Sequence, residues 1–337
     1  MRRALPSIGL IPVALLSLTS PASPGPLPFV RGLALGSYSD IRPAKLDQKL
    51  DELKALKVSH VSLVVSWSTA DVRSSSIDPR ARSTTPDSVL TRMINRAHAK
   101  GLKVFLFPII DVLRRKPLEW RGTIKPGSWE GWWRAYHRFI LHYARIAARS
   151  RVEMFCVGSE LVTTEKMRDR WSDLIRRIRA IYGGTLVYSA NWDHYKPVVF
   201  WDLVDVVGLT AYYQLTRDKK APQSEMLTAW RSVRTKLVSW ARKRKKRFLF
   251  TEVGYPSMDG CAVNPWDYTL SAPPDLEEQR RAFSAFVGAW DRVPELAGVI
   301  FWDWYGDGGP RDTRYTPRGK PAEEVIRKWF HRLATDR

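Results

Sequence analysis

VEMFCVGSE (Val152–Glu160) and RFLFTEVGY (Arg247–Tyr255) are two short apolar runs that each carry one glutamate into a glycine-containing turn. Runs of this length and composition are typical of buried strands. In an eight-fold β/α barrel, the C-terminal strand ends converge on one face, and functional side chains collect there. The two runs therefore predict that Glu160 and Glu252 lie together at the mouth of such a barrel.

Strand and helix patterns alternate along the rest of the chain. Eight strand-like runs are each followed by apolar residues at helical spacing, except that only a short segment follows the fifth run. The predicted strands are Val30–Ser37, Val61–Trp67, Lys103–Ile110, Val152–Gly158, Thr185–Ala190, Val206–Tyr212, Phe248–Thr251 and Val299–Trp302. Eight such units predict an α/β fold, a single (β/α)8 TIM barrel. A doubly wound open sheet is the alternative, and the lack of a Gly-rich phosphate loop after the first strand argues against it.

The N-terminal residues 1–22 have the pattern of a secretory signal peptide. Arg2 and Arg3 precede the mostly apolar run Ile8–Leu18, and Ser20-Pro21-Ala22 offers a small-residue cleavage site. An uncleaved anchor or a disordered tail is the alternative. We therefore expect a secreted or periplasmic protein in which residues 23–337 form one catalytic domain.

The chain is strongly basic, with a formal net charge of +21. This charge would allow binding to acidic polymers, anionic surfaces or nucleic acid. No RNA- or DNA-binding motif accompanies it, so we expect no nucleic acid partner. The densest run, Arg242–Arg247, ends a predicted helix just before a strand and so should lie opposite the barrel mouth. This run is either a solvated basic face or a surface that binds an anionic envelope or matrix polymer. We expect the protein to be a monomer.

Several other kinds of site find no support in the sequence. The chain contains no H-E-x-x-H, Cys-x-x-Cys, P-loop or G-x-S-x-G motif. Its two cysteines, Cys156 and Cys261, are expected to be separate thiols rather than a disulfide framework. We therefore expect neither a metal nor a cofactor. Two carboxyl groups at one barrel mouth are instead the minimum equipment for cleaving a glycosidic bond.

The segments around these carboxyl groups carry a family resemblance. They read TRMINRAHAKGLKVFLFPIID, EWRGTIKP, FCVGSEL, LVYSANWDHY, VVGLTAYY, FLFTEVGY and GVIFWDWY. Over about residues 30–330 the chain resembles glycoside hydrolase family 113, a group of retaining barrel glycosidases whose known members act on β-1,4-mannan. The resemblance implies that Glu160 is the acid/base and Glu252 the nucleophile. It also implies that Tyr212 donates a hydrogen bond to the nucleophile, with Tyr213 as the rival, while Ser159 replaces the asparagine that usually precedes the acid/base in the wider clan.

Aromatic residues at strand ends are candidates for binding sugar rings. A flat aromatic surface suits the apolar face of a sugar, as it suits other apolar ligand faces. Trp302, at the end of the eighth strand, is the main candidate. Trp67, Trp192 and Trp304 are further candidates, whereas most other tryptophans lie at core spacing on predicted helices.

Two polar residues have open roles. Asn191, at the end of the fifth strand, would either bond a sugar hydroxyl or cap a turn. Arg121, in the loop after the third strand, would either contact a substrate hydroxyl or pin this loop to Asp111.

The sequence thus predicts a retaining glycoside hydrolase whose substrate is a polysaccharide or oligosaccharide, with β-mannan the leading choice. Such a mechanism needs a protonated Glu160, an ionised Glu252 and carboxyl groups about 5–5.5 Å apart. One alternative is a carbohydrate-binding envelope protein whose catalysis has decayed, and the presence of both glutamates argues against it. The other is a hydrolase of an acidic envelope or extracellular glycan, which the positive charge favours.

Overall fold

Eight parallel strands form a closed barrel in the computed structural model, which describes residues 28–36, 43–80 and 83–335. Each strand pairs with the next one in chain order, and the last pairs with the first. The strands are β1 Val30–Gly36, β2 His60–Thr69, β3 Lys103–Val112, β4 Met154–Ser159, β5 Thr185–Ala190, β6 Val206–Thr210, β7 Phe248–Val253 and β8 Leu296–Phe301. The predicted (β/α)8 barrel is confirmed, and pairing of β1 with β8 excludes the open sheet.

Seven α-helices of the described residues surround the barrel, one after each strand except β5. They are α1 Pro43–Ala55, α2 Asp87–Ala99, α3 Trp129–Arg149, α4 Arg168–Arg179, α5 Gln223–Arg244, α6 Leu276–Trp290 and α7 Pro321–Thr335. After β5 the chain returns through the short 3-10 helix Trp201–Leu203, in agreement with the short segment predicted there. Pro321 opens α7 at a position where the missing N–H is not needed.

Alternating strand residues build two apolar layers. The inner layer fills the barrel and includes Ala34, Phe105, Phe107, Met154, Cys156, Val187, Leu249 and Ile300. The outer layer lies between strands and helices, where fully buried tryptophans such as Trp132, Trp171, Trp230 and Trp290 pack. Filling on both faces holds the strands rigidly, so their C-terminal ends form a firm rim for a site.

The predicted strand bounds agree with the structure to within three residues. Glu160 follows β4 directly, Glu252 is the penultimate residue of β7, and Trp302 follows β8. All three residues therefore lie at the C-terminal rim, where barrel enzymes carry their active sites.

Other predictions concern the periphery. Cys156 and Cys261 are separate buried thiols, as predicted. Within the described residues, no helix has both the length and the apolarity that crossing a membrane requires. The basic run Arg242–Arg247 ends α5 and leads into β7 at the face opposite the C-terminal rim. The predicted signal peptide lies outside the described residues.

Candidate active site

Glu160 is held in a backbone conformation that non-glycine residues rarely adopt. Its φ is 54°, in the left-handed region, which costs on the order of 1–3 kcal/mol. Its backbone N–H donates a hydrogen bond of 2.7 Å to the carbonyl oxygen of Ser189 on the neighbouring strand. Two residues earlier, a Cβ on Gly158 would lie 2.7 Å from the ring of Trp171, so only glycine allows this packing against β4. The end of β4 is thus tightly defined, and it turns Glu160 toward the barrel mouth.

Glu252 reaches the mouth because β7 contains a bulge. Leu249 lies in the inner layer and Phe250 in the outer layer, so strict alternation would point Glu252 toward the helices. The register between β6 and β7 slips at Thr251, where Leu209 faces Phe250 but Thr210 faces Glu252. A bulge adds one residue and can redirect the side chain that follows. The result is a carboxyl group that is 9% exposed and opens to the same face as Glu160.

A hydroxyl on β6 donates a hydrogen bond to Glu160. Thr210 stands opposite Glu252 in the strand register, and its hydroxyl lies 3.0 Å from Oε1 of Glu160 as a donor. The same hydroxyl oxygen is 3.3 Å from Oδ1 of Asn191. The amide nitrogen of Asn191 donates to Asp193, which is the turn-stabilising role that the sequence offers as one alternative. A contact from Asn191 to a sugar hydroxyl stays a prediction.

Tyr212 contacts Glu252 directly. Its hydroxyl donates a hydrogen bond of 2.9 Å to Oε2 of Glu252. The hydroxyl of Tyr213 donates instead to the carbonyl oxygen of Trp192, also at 2.9 Å. Of the two adjacent tyrosines, Tyr212 therefore makes the contact that the sequence argument expects.

Arg121 faces Glu160, a contact that sequence reasoning missed. Its Nη1 lies 3.4 Å from Oε2 of Glu160, so the guanidinium forms an ion pair with this carboxylate. Arg121 begins a 3-10 turn in which the N–H of Trp120 donates to the Thr123 hydroxyl. A Cβ at Gly122 would lie 2.4 Å from the Trp120 ring, which explains the glycine after Arg121. The sequence predicts either a sugar hydroxyl or Asp111 as the partner of Arg121. The structure shows a different partner, the carboxylate of Glu160.

The pKa of Glu252 differs from what an ionised nucleophile would require. Burial, followed by the nearby charge of Glu160, raises the pKa of Glu252 to about 8. Arg121 and the Tyr212 hydrogen bond act in the opposite direction, and Asp303 adds to the increase. At neutral pH the ligand-free site therefore holds a proton on Glu252, because two close carboxyl groups in a buried site resist carrying two charges.

Asp303 is a third carboxyl group near the pair, and sequence reasoning missed it. Burial raises the pKa of Asp303 to about 6. It follows Trp302 after β8, and its charge acts on Glu252. An acidic residue two positions beyond a strand end was the available signal.

The four tryptophan candidates divide into two groups. Trp302 is partly exposed, packs on the inner layer and donates its backbone N–H to Val253. Trp192 is also partly exposed, and its ring stacks on that of Trp266, a residue that sequence reasoning missed. These two candidates remain at the rim.

Trp67 and Trp304 are not brought into the site. Trp67 is 7% exposed and packs against Phe139 and Tyr143 of α3, because strand alternation turns it toward the helices. Trp304 is 1% exposed, and its indole N–H donates to Glu52 on α1. Both side chains are therefore placed for packing rather than for stacking on a sugar.

One acidic trio, formed by Asp259, Asp275 and Glu278, lies in the loop after β7 and at the start of α6. Each carboxylate already has a partner. Asp259 pairs with Lys219, Asp275 caps α6, and Glu278 accepts two backbone N–H groups of the preceding loop. These contacts explain the trio as a brace for this loop.

The model of Glycoside Hydrolase Family 113 matches residues 34–319. The chain belongs to glycoside hydrolase family 113. The protein is therefore a glycoside hydrolase.

Solved structures of family 113 resemble the chain over nearly its whole length. A β-mannanase of the family from Alicyclobacillus acidocaldarius, AaManA in complex with ManMIm, has 30% identity and a TM-score of 0.81, with 91% of this chain and 98% of that chain covered. A family 113 β-1,4-mannanase complex has 24% identity and the same TM-score, with 90% and 99% covered. A family 2 β-galacturonidase from Eisenbergiella tayi, at 14% identity, a TM-score of 0.60 and 90% and 51% covered, shares the fold alone. No curated protein gives a significant match.

Proposed function

We propose that this family 113 enzyme hydrolyses β-1,4-mannan or a related β-linked polysaccharide with retention of configuration. The observation that carries the proposal is the placement of Glu160 and Glu252 at the C-terminal rim of the barrel, where Tyr212 donates a hydrogen bond to Glu252. Two carboxyl groups in these positions can act as acid/base and nucleophile. The choice of mannan rests on the family 113 β-mannanases that the chain resembles at 30% and 24% identity.

In the first step, the Glu252 carboxylate attacks the anomeric carbon while Glu160 donates its proton to the glycosidic oxygen. The glycosidic bond breaks, the leaving glycan departs with this proton, and an ester joins the sugar to Glu252. In the second step, Glu160 takes a proton from water, whose oxygen attacks the anomeric carbon, and Glu252 leaves as a carboxylate. Both residues return to their starting states.

The ligand-free site is one proton transfer away from this arrangement. Burial raises the pKa of Glu252, while Arg121 and the Thr210 hydroxyl each contact one carboxylate oxygen of Glu160. A bound glycan places the glycosidic oxygen beside Glu160, where this oxygen accepts a hydrogen bond from the protonated form of Glu160 and so favours a proton there. Transfer of the proton to Glu160 then leaves Glu252 as the anion that Tyr212 stabilises.

A screen of neutral and acidic polysaccharides, with product analysis by mass spectrometry, tests the proposed function. The wild-type protein should release oligosaccharides from β-mannan, and Glu252→Gln, which keeps the shape of the side chain, should not. Release from acidic glycans alone would favour the alternative substrate class. Binding of glycans with no cleavage of any would favour a protein whose catalysis has decayed.

Two further proposals concern the setting of the enzyme. We propose that residues 1–22 direct export, so that the enzyme meets its glycan outside the cytoplasm. We also propose that the basic end of α5 holds the enzyme near an anionic envelope or matrix polymer. From residue 226 to 251 the chain has nine lysines and arginines but no aspartate or glutamate, and Lys236, Lys243 and Lys245 are exposed.

A further inference from the structure

The loop that follows β7, residues 254–275 and called the β7 loop below, reaches across the barrel rim. Its Trp266 stacks on Trp192, which follows β5, with ring centroids 6.0 Å apart and ring planes at 27°. The hydroxyl of its Tyr268 accepts a hydrogen bond from Arg115, in the loop after β3 (residues 113–128, the β3 loop). In a closed eight-stranded barrel β3 and β7 are diametrically opposite. One loop therefore links both halves of the rim.

The stem of the β7 loop is firmly held. Gly260 and Ala262 donate their backbone N–H groups to the buried carboxylate of Glu278, at 2.7 and 3.0 Å. The hydroxyl of Tyr315 donates a hydrogen bond of 2.6 Å to the carbonyl oxygen of Pro265. The contacts of Trp266 and Tyr268 thus extend from a braced segment rather than from a free chain.

These contacts border one particular side of the catalytic pair. Glu160 follows β4, which lies between β3 and β5 in the barrel. The β7 loop touches the loops of both neighbouring strands, through Arg115 and Trp192, and so brackets Glu160. An acid/base residue must face the oxygen of the leaving group. The loop therefore borders the leaving-group side of the cleft.

The surface offered there is apolar and aromatic. Trp266 is 42% exposed and Tyr268 is 60% exposed. Exposed aromatic rings suit the apolar faces of sugars, and exposed apolar groups of this size mark binding surfaces.

We propose that Trp192, Trp266 and Tyr268 bind the leaving-group portion of the glycan and that the Arg115–Tyr268 contact closes this site. This proposal rests on the proposed function, with Glu160 as the acid/base. A closed leaving-group site accepts only a short stretch of sugar on the reducing-end side of the cleaved bond. The enzyme then releases a short fragment from the reducing end instead of cutting at random positions.

The test uses manno-oligosaccharides of increasing length whose reducing ends carry oxygen-18, so that mass spectrometry identifies the origin of each product. The wild-type enzyme should release a labelled fragment of the same short length from every substrate. Tyr268→Ala removes the contact with Arg115 and should spread the labelled fragments over several lengths. Trp266→Ala should raise KM up to about tenfold with little change in kcat, the size expected for one lost aromatic contact.

Tyr268→Phe is the matched control, because it keeps the ring and removes only the hydroxyl that accepts from Arg115. Its product pattern should shift toward that of Tyr268→Ala but less far, because the Arg115 guanidinium still lies 5.8 Å from the ring centroid, while its KM should stay near the wild-type value. Each variant is also assayed on an aryl β-mannoside, and cleavage of this substrate shows that the variant has folded and keeps its two catalytic carboxyl groups. Labelled fragments of many lengths from the wild type, or identical patterns in wild type and variants, would overturn the proposal and leave the hydrolase intact. If the wild type cleaves no β-mannoside at all, the proposed function fails and this proposal fails with it.

Discussion

Tyr212 and Glu252 are joined by a hydrogen bond of 2.9 Å from the phenol hydroxyl to Oε2 of the carboxyl group. This bond stabilises the ionised form of Glu252, which the proposed mechanism needs for attack. Tyr212→Phe removes the donor without removing the ring. A hydrogen bond to a charged group contributes about 1.5–3 kcal/mol, so kcat/KM should fall by roughly tenfold to a hundredfold. Tyr213→Phe is the control, because its hydroxyl contacts the Trp192 carbonyl, and equal losses in both variants would argue against a specific role for Tyr212.

The shared proton of the pair predicts an alkaline limit of activity. The pKa of Glu252 in the ligand-free protein is about 8, so kcat/KM should decline as pH rises through this value and the pair loses its proton. Arg121 lowers this pKa and Asp303 raises it. Arg121→Gln should therefore move the alkaline limb to higher pH, and Asp303→Asn should move it to lower pH. Shifts in the same direction, measured in pH profiles of kcat/KM, would show that these charges do not act through Glu252.

The same group should make the fold less stable at alkaline pH. In the unfolded chain Glu252 titrates near its ordinary value of 4.5, and in the folded protein near 8. A raised folded pKa contributes stability below the unfolded value, and this contribution is lost as pH rises through the folded value. Glu252→Gln removes the titrating group. The unfolding free energy of the variant minus that of the wild type should therefore be larger at pH 8 than at pH 5, by on the order of a few kcal/mol. Chemical denaturation at both pH values measures this, and a constant difference would contradict it.

The basic end of α5 should affect binding to anionic polymers but not catalysis. Lys243 and Lys245 are exposed at the end of this helix, opposite the site, and Lys236 is exposed nearer its middle. Replacement of these three lysines by serine should weaken binding to anionic polymers, and wild-type binding should fall steeply with salt, because the Debye length is only about 8 Å at physiological ionic strength. Hydrolysis of a neutral oligosaccharide should be unchanged. The prediction is contradicted if the triple variant folds and binds anionic polymers as the wild type does but no longer hydrolyses the neutral oligosaccharide.

The barrel was predictable because its signals are local and repeated. Strand-like apolar runs recur eight times, helical spacing follows seven of them, and each predicted strand bound falls within three residues of the observed one. Strand alternation in β2 also indicates the position of Trp67. In β2, Leu63, Val65 and Trp67 share the helix-facing side, which places Trp67 in the outer layer.

Other parts of the site depend on contacts between distant loops. Arg121 meets Glu160 across 39 residues, and no local pattern selects this partner over Asp111. The bulge at Thr251 adds one residue to β7, and sequence alone does not reveal on which strand position the register slips. The raised pKa of Glu252 follows from burial, a property of the assembled barrel, and so the sequence did not predict it.

Trapping of the covalent intermediate tests the central claim most directly. A 2-deoxy-2-fluoro-β-mannosyl fluoride reacts in the first step, and the fluorine at C2 slows the second step, so that the ester accumulates. Peptide mass spectrometry should find the sugar on Glu252, in the peptide that contains FLFTEVGY, and no sugar should attach to Glu252→Gln. A sugar on another residue, or hydrolysis that inverts the anomeric configuration without any adduct, would contradict the assignment of Glu252 as the nucleophile.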